Sequence, residues 1–73
     1  MALSTRNRLP AEVIEVVKGD AAATVSIRVG DNHLVALITR ASADELGLEA
    51  NQEVTAMVKA SDVMLMTDDG EGA

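Results

Sequence analysis

The clearest pattern in this chain is an alternation of apolar and polar residues with a period of two. Residues 23–29 read Ala-Thr-Val-Ser-Ile-Arg-Val, so every second side chain is apolar. This alternation predicts a strand with one face in the core and the other towards solvent. Residues 11–17, which are rich in β-branched side chains, predict another strand. Pro10 lies near its start, where a missing backbone donor is tolerated.

Two turn signals organise the first half of the chain. Gly19-Asp20 predicts a turn between the first two strands, and Gly-Asp-Asn at residues 30–32 predicts a second turn. The continuous apolar run at residues 34–38 then predicts a third strand that is covered on both faces. An assembled oligomer would provide the second cover.

A short helix is predicted where the period of two breaks off. Ser42 and Glu45 match a capping box, with Ser42 as the N-cap and Glu45 at the third helical position. Gly47 is placed to end the helix, and Leu46 and Leu48 are expected to plug one end of a barrel. After a polar turn at residues 49–52, two further strands are predicted at residues 53–59 and 63–67.

The resulting order is β-β-β-α-β-β. It predicts an all-β fold with one short helix, a five-stranded OB-like barrel. An open sheet is the alternative, but closure removes exposed strand edges and suits the apolar content. Residues 1–67 are expected to form this single domain, and the acidic, Gly-rich residues 68–73 are expected to form a flexible tail.

The composition excludes several classes of protein. The 73 residues carry 12 acidic and 6 basic side chains, a net charge of −6, and no Phe, Trp or Tyr. Nucleic-acid binding is disfavoured, because it usually needs a basic surface and, for single strands, aromatic rings that stack on bases. Without cysteine there is no disulfide framework. The chain has no long apolar run of the kind that indicates a signal peptide or a membrane span. A cytoplasmic protein is therefore expected.

The small size predicts self-association. A domain below roughly 70–80 residues usually needs a disulfide, a metal or a partner, because its own core supplies only about 3–5 kcal/mol. Cysteine is absent, and the single histidine, His33, argues against a structural zinc site. His33 follows a predicted turn and is expected to face solvent at the start of a strand.

No constellation in the sequence predicts an enzyme. One histidine and no cysteine leave few candidates for a nucleophile and its base, and neither a Gly-x-Ser-x-Gly nor a P-loop pattern occurs. The turns hold too few acids for a metal site. Asp68 and Asp69 lie in the predicted tail, which is too flexible to position a reaction.

Two short segments bring hydrogen-bond donors together where the ends of a barrel would lie. Residues 4–8 (Ser-Thr-Arg-Asn-Arg) hold hydroxyls, guanidinium groups and an amide, and residues 59–62 (Lys-Ala-Ser-Asp) hold an ammonium, a hydroxyl and backbone amides. Such donors suit a tetrahedral oxyanion. From spacing alone the alternatives stay open: a polar N-terminal arm for the first segment, and a turn capped by Ser61 and Asp62 for the second.

Three blocks of the sequence carry a resemblance to a known family. They are Ser-Thr-Arg-Asn at residues 4–7, Thr-Arg-Ala-Ser-Ala-Asp-Glu-Leu-Gly-Leu at residues 39–48, and Val-Lys-Ala-Ser-Asp-Val-Met at residues 58–64. In order and spacing they resemble the molbindins, the Mop proteins built from one molybdate-binding TOBE-type domain. The resemblance runs from about Met1 to Thr67. The first and third blocks together are fairly specific, whereas the middle block is partly structural.

This resemblance implies an OB-like barrel assembled as a homohexamer, a trimer of dimers, that stores or buffers molybdate and also accepts tungstate. The oxyanion would bind reversibly between subunits, without covalent chemistry, an organic cofactor or a directly ligated metal cation. Ser4 and Arg6 would come from one chain, and Asn7 from the same motif is a lesser candidate. Lys59, Ala60 and Ser61 would come from a neighbouring chain. The matching positions of this first site class are Ser4, Arg6, Asn7, Lys59, Ala60 (through its amide) and Ser61.

The resemblance also implies a second site class near a threefold axis, where loops of several subunits converge. The candidate is the first predicted turn, through its backbone amides, and comprises Gly19, Asp20, Ala21 and Ala22. Asp20 departs from the family pattern by placing an acid where an anion would dock. If its carboxylate faces the axis, this site is weakened or pH-dependent; if it faces outwards, nothing changes.

Two other functions remain as alternatives. OB-like barrels often bind nucleic acids, although the charge and the missing aromatic residues argue against that function here. TOBE-type domains also occur as parts of transport ATPases and regulators. A structural assembly module that senses an oxyanion is therefore the third interpretation.

Overall fold

The computed structural model describes the backbone of residues 6–68 and the side chains of residues 7–68. Mostly β structure with one helix between the third and fourth strands is confirmed for this part of the chain. Its elements are β1 Arg6–Lys18, β2 Ala22–Val29, β3 Asn32–Thr39, α1 Arg40–Leu46, β4 Glu53–Lys59 and a 3-10 turn at Ala60–Asp62.

β1 is the longest strand of a curled antiparallel sheet with the order β3-β2-β1-β4. The second half of β1 pairs with β2, and its first half pairs with β4. Pro10 lies where β1 pairs with β4 alone, so its missing N–H is tolerated at a free strand edge. A register shift between Val13 and Glu15 marks a bulge, and a bulge increases the local twist that lets a sheet curl.

The core lies on one face of this sheet. Ala11 and Val13 from β1 and Val25 and Ile27 from β2 are buried together. The alternation predicted for residues 23–29 is confirmed, because its inward-facing members are the buried ones. Half-buried apolar side chains pack around this group: Val16, Val29, Ala36, Ile38, Leu48, Val54 and Ala56.

One end of the core is closed less completely than predicted. Leu48 packs against the core, as expected. Leu46 does not, because 64% of it is exposed. The prediction that both leucines plug one end is therefore wrong for Leu46 within the described chain.

The helix begins three residues before its predicted start. Thr39, the last residue of β3, is the N-cap, and its Oγ1 accepts a hydrogen bond from Ser42 N at 3.0 Å. The prediction that Ser42 is the N-cap is wrong. The Thr39 hydroxyl caps the helix instead, and Ser42 lies inside the first helical turn. Gly47 ends the helix as predicted, in the left-handed conformation at φ 60°.

The predicted fifth strand at residues 63–67 is wrong for the described chain, which has four strands. Val63–Leu65 have no regular structure, and Met66 makes a single bridge. The exposed fractions of Met64, Leu65 and Met66 are 81%, 71% and 71%. A strand is stable where its backbone pairs with a sheet edge and its apolar side chains pack against a core. Within residues 7–68, the apolar side chains of this segment have no such packing. Residues 6–68 therefore form a curled four-stranded sheet, and the five-stranded barrel is not confirmed for this part of the chain.

The apolar run in β3 is covered on one face only. Ala36 and Ile38 pack against the core, whereas Val35 and Leu37 are 69% and 75% exposed. The described chain does not supply the predicted cover on both faces. The inner face is also open, since apolar side chains of all four strands border a cavity of about 670 Å³.

Two further expectations concern exposed parts of the chain. His33 is exposed at the start of β3, as predicted. Of the predicted tail at residues 68–73, all but the first residue lies outside the described part. No helix within residues 6–68 is long and apolar enough to cross a membrane.

Val13→Ala is expected to lower the free energy of unfolding by about 2 kcal/mol, because it removes buried methyl groups and leaves a cavity. Val13 is the largest fully buried side chain among residues 7–68, with an exposed fraction of 1%. Urea unfolding followed by circular dichroism measures the change. Val17→Ala, the same truncation on the same strand at a residue that is 56% exposed, is the control. Equal losses in both variants would contradict the core described above.

Candidate functional site

Two basic residues of the first predicted oxyanion site lie opposite each other. Arg6 begins β1, Lys59 ends β4, and the two are register partners in the antiparallel ladder. Directly opposed residues in such a ladder have Cα atoms about 5 Å apart. The resemblance assigns these residues to different subunits, yet a single chain already brings both positions together. The contribution of a neighbouring subunit stays a prediction.

The turn after β4 adds polar groups beside this pair. Ala60–Asp62 form a single 3-10 turn in which all three residues are exposed. Such a turn leaves its first amides without an internal partner, because i→i+3 bonds begin only three residues later. Within residues 7–68, the side chains of Ser61 and Asp62 make no hydrogen bond, so the capped-turn alternative is not what the structure contains.

Of the other two predicted residues of the first site, Asn7 lies next to this pair and Ser4 lies outside the described part. Asn7 Nδ2 donates to Val58 O across the ladder at 3.3 Å, so its amide is already engaged by the facing strand. Ser4 and the side chain of Arg6 lie outside the described part. The structure thus places five of the six predicted positions at one end of the sheet: Arg6, Asn7, Lys59, Ala60 and Ser61.

The second predicted site is a tight turn between β1 and β2. Gly19 N donates to Ala22 O at 2.7 Å, which engages one of the predicted donors. A Cβ on Gly19 would lie 3.2 Å from the same oxygen. Within residues 6–68, the amides of Asp20 and Ala21 donate no hydrogen bond, so two of the predicted donors are available.

A charged cluster that the sequence analysis did not single out lies against this turn. Arg40 N donates to Ala21 O at 2.9 Å, and Arg40 Nη1 donates to Gly19 O at 3.1 Å. Asp44 Oδ1 accepts from Lys18 Nζ at 2.8 Å, and Asp44 Oδ2 accepts from Arg40 Nε at 3.1 Å. The i,i+4 spacing of Arg40 and Asp44 is a sequence signal for one of these pairs. Lys18 carries no such signal, because 26 positions separate it from Asp44.

The cluster keeps Asp44 ionised. The hydrogen bond from Lys18 holds the pKa of this carboxyl below its usual value of 3.8. Partial desolvation opposes this shift, and the charges of Arg40 and Lys18 reinforce it. At neutral pH the turn is therefore flanked by two cations with one carboxylate between them.

The chemistry available in the described part is anion binding. The first site offers an ammonium, a hydroxyl and a backbone amide, and the second offers two amides beside a charged cluster. Within residues 6–68, no group of three or more His, Asp or Glu side chains is arranged to hold a metal ion. Arg28 is paired with Glu12 further along β1, away from either site.

Asp44→Asn is expected to lower the thermal midpoint at neutral pH and to change it little near pH 2. The folded-state pKa of Asp44 lies below the unfolded value of 3.8, so its contribution to stability is present above that pH. The contribution is lost as the pH falls through the folded pKa. Thermal unfolding at a series of pH values measures the difference between the two proteins.

Glu45→Gln is the matched control for this experiment. It removes an acid from the neighbouring helical position, where Glu45 is exposed and makes no ion pair within residues 7–68. We expect its thermal midpoint to follow that of the unmodified protein at every pH. A destabilisation by Asp44→Asn that stays constant down to pH 2 would contradict the assigned role of the carboxylate.

Known proteins resemble this chain in sequence and in fold. The sequence profile of the TOBE domain matches residues 3–65. Molybdenum-pterin-binding protein 2 of Clostridium pasteurianum is 37% identical over 67 residues, which are 90% of this chain and 98% of that protein. The molybdenum-pterin-binding protein MopA of Rhodobacter capsulatus is 46% identical over 66 residues, which are 89% of this chain and 25% of MopA.

A solved structure shares the fold. The molybdate-binding protein from Sporomusa ovata has a TM-score of 0.84 and 39% identity to this chain, and the similarity covers 92% of this chain and 100% of the other. The family resemblance found in the three sequence blocks is thereby confirmed. The chain belongs to the TOBE domain family, in its molbindin (Mop) branch.

Proposed function

We propose that this chain binds molybdate reversibly, as a homo-oligomer that stores the oxyanion and buffers its concentration. The observation that carries the proposal is the register of β1 and β4, in which Arg6 lies opposite Lys59 beside the exposed turn at Ala60–Asp62. The choice of ligand is supported by relatives that are molybdate-binding and molybdenum-pterin-binding proteins.

Electrostatics explains why this arrangement suits a dianion. Like charges directly opposite each other in a ladder are destabilising, and an anion that binds both turns this repulsion into attraction. A tetrahedral dianion gives up its hydration only to converging charge-assisted hydrogen bonds, each worth about 1.5–3 kcal/mol. Arg6 and Lys59 would offset the two charges, while Ser61, the Ala60 amide and Ser4 would fix the orientation.

The site is one-sided in a single chain, which supports its completion by a neighbour. Lys59, Ala60 and Ser61 are all exposed, and a dianion resting on them would keep its other face in water. We propose that a second copy covers that face, so that the oxyanion lies between subunits. An anion that binds only the assembly stabilises it by mass action.

The uncovered apolar surface supports self-association. Val35 and Leu37 on β3 and the segment of residues 63–66 after the last turn are exposed, and the inner cavity is open. Removing such surface from water is worth about 25 cal/mol per Å², and large exposed apolar patches mark interaction sites. Following the family resemblance, we propose a homohexamer built as a trimer of dimers.

Ligand size and the charge of the whole chain bear on selectivity and on possible partners. Tungstate is proposed as an alternative ligand, since it shares the charge and shape of molybdate, and selectivity over sulfate would depend on the size of the site. We propose a cytoplasmic binding protein without catalysis, an organic cofactor, or a nucleic-acid or membrane partner. The net charge of −6 disfavours a polyanion but not one small anion in a pocket. Residues 1–67 would form the binding domain and residues 68–73 its acidic tail.

Arg6→Ala and Lys59→Ala are each expected to weaken molybdate binding at least about tenfold, because each removes one charge-assisted hydrogen bond. Isothermal titration calorimetry measures the affinity, and circular dichroism checks that the fold is retained. Arg28→Ala is the matched control, since it removes the same charge from a residue paired with Glu12. Unchanged affinity in both site variants would falsify the assignment of this site.

Leu65→Asp is expected to shift the assembly towards smaller species, because it places a charge on the apolar segment that a neighbouring copy would cover. Leu65 is 71% exposed in the single chain, so the substitution leaves the core around Val13 intact. Native mass spectrometry with and without molybdate measures the distribution of species. Ala50→Asp adds the same charge at an exposed turn and is the control. An oligomer of unchanged size in Leu65→Asp would count against this surface as the interface.

A further inference from the structure

The Asp44 carboxylate lies between two cations at the second predicted anion site. Lys18 directly precedes the β1–β2 turn, and Arg40 donates to the Gly19 carbonyl within it. The exposed fractions of the Lys18, Arg40 and Asp44 side chains are 37%, 42% and 49%. An ion from solution can therefore reach all three groups without opening the fold.

We propose that Lys18 and Arg40 form an oxyanion subsite beside the β1–β2 turn, and that Asp44 occupies this subsite until a tetrahedral dianion displaces it. The inference rests on the proposed function, because it adds side-chain ligands and an internal competitor to the second site of an oxyanion-binding protein. These side chains lie outside both sets of residues that the family resemblance indicates.

The bonding of Asp44 mimics that of an oxyanion. Asp44 Oδ1 accepts from Lys18 Nζ at 2.8 Å and from Arg40 Nε at 3.3 Å, and Oδ2 accepts from Arg40 Nε at 3.1 Å. Both oxygens are thus engaged by the cations, as oxygens of a bound dianion would be. Within residues 6–68, Asp44 does not use the amides of Asp20 and Ala21, which donate no hydrogen bond. A dianion has more oxygens and one more charge than the carboxylate, so it can satisfy both cations and take up further donors.

The competition is weak enough for a ligand to overcome. Each exposed ion pair of Asp44 would change the binding constant of a competing anion by a factor of only about two to five. The effect is small because solvent screens the charges and the paired side chains lose conformational freedom. Asp44 therefore raises the oxyanion concentration at which this subsite fills but does not block it. The exposed Asp20 adds a further negative charge to the same turn. The first site would fill before the second, and the second would release its anion first.

Calorimetric titration with sodium molybdate tests this inference on four full-length proteins. They are the unmodified chain, Asp44→Asn, Glu45→Gln and the double variant Lys18→Met/Asp44→Asn. Asp44→Asn removes the competing charge and keeps the shape of the side chain, so the weaker class of sites is expected to bind at least about fivefold tighter. Glu45→Gln should match the unmodified chain, and Lys18→Met/Asp44→Asn should lose the gain. A parallel titration with sodium sulfate tells whether the subsite takes any tetrahedral dianion or prefers the larger one.

The outcomes separate this inference from the proposed function. If the unmodified chain binds molybdate in a manner sensitive to Lys59→Ala, but Asp44→Asn behaves like Glu45→Gln, the proposed function stands and the subsite is overturned. If Lys59→Ala changes nothing while Asp44→Asn still gains affinity, the subsite stands and the first site fails. If Asp44→Asn does not fold, the Lys18 ε-methylene and Asp44 carboxyl NMR signals of the Lys59→Ala protein are followed during a molybdate titration. Joint movement of both signals supports displacement, and stationary signals overturn it.

Discussion

The fold and both candidate sites depend on the double pairing of β1. Its 13 residues pair with β4 along the first half and with β2 along the second half. The pairing of the first half with β4 places Arg6 opposite Lys59. Val13, in the middle of β1, lies in the core, and Lys18, at the end of β1, lies next to the β1–β2 turn. A register slip of one residue would reverse the faces of the strand, so the hydrophobic core itself keeps the polar positions aligned at both ends.

The clustering of basic side chains explains how a chain with a negative net charge could bind an anion. The net charge of −6 is an average over the chain, whereas the ligand meets only the groups within a few ångströms. At one end of the sheet two basic positions face each other beside an exposed hydroxyl. At the other, two cations share a single carboxylate. The two ends therefore differ in how much negative charge already satisfies their cations, and this difference is the physical basis of the unequal affinities that we propose.

The described chain leaves apolar side chains exposed on the outer face of β3 and along residues 63–66. Its core is built without aromatic side chains, and each small aliphatic side chain buries less area. The outer face of β3 and residues 63–66 are exposed, although the sequence predicts strands in both segments. An apolar pattern in the sequence predicts that a segment is buried, but it does not indicate whether the same chain or a neighbouring chain buries it.

By itself, the sequence determined the mostly β architecture, the turns, the helix end at Gly47 and the blocks that identify the family, because each depends on local periodicity, a glycine conformation or a short motif. Tertiary structure decided what depends on long-range register. It moved the N-cap to Thr39, left Val63–Leu65 without regular structure, and brought Arg6 opposite Lys59 within one chain. It also brought Lys18 to Asp44 across 26 positions. Such contacts follow from strand pairing and curling, which no local pattern of residues encodes.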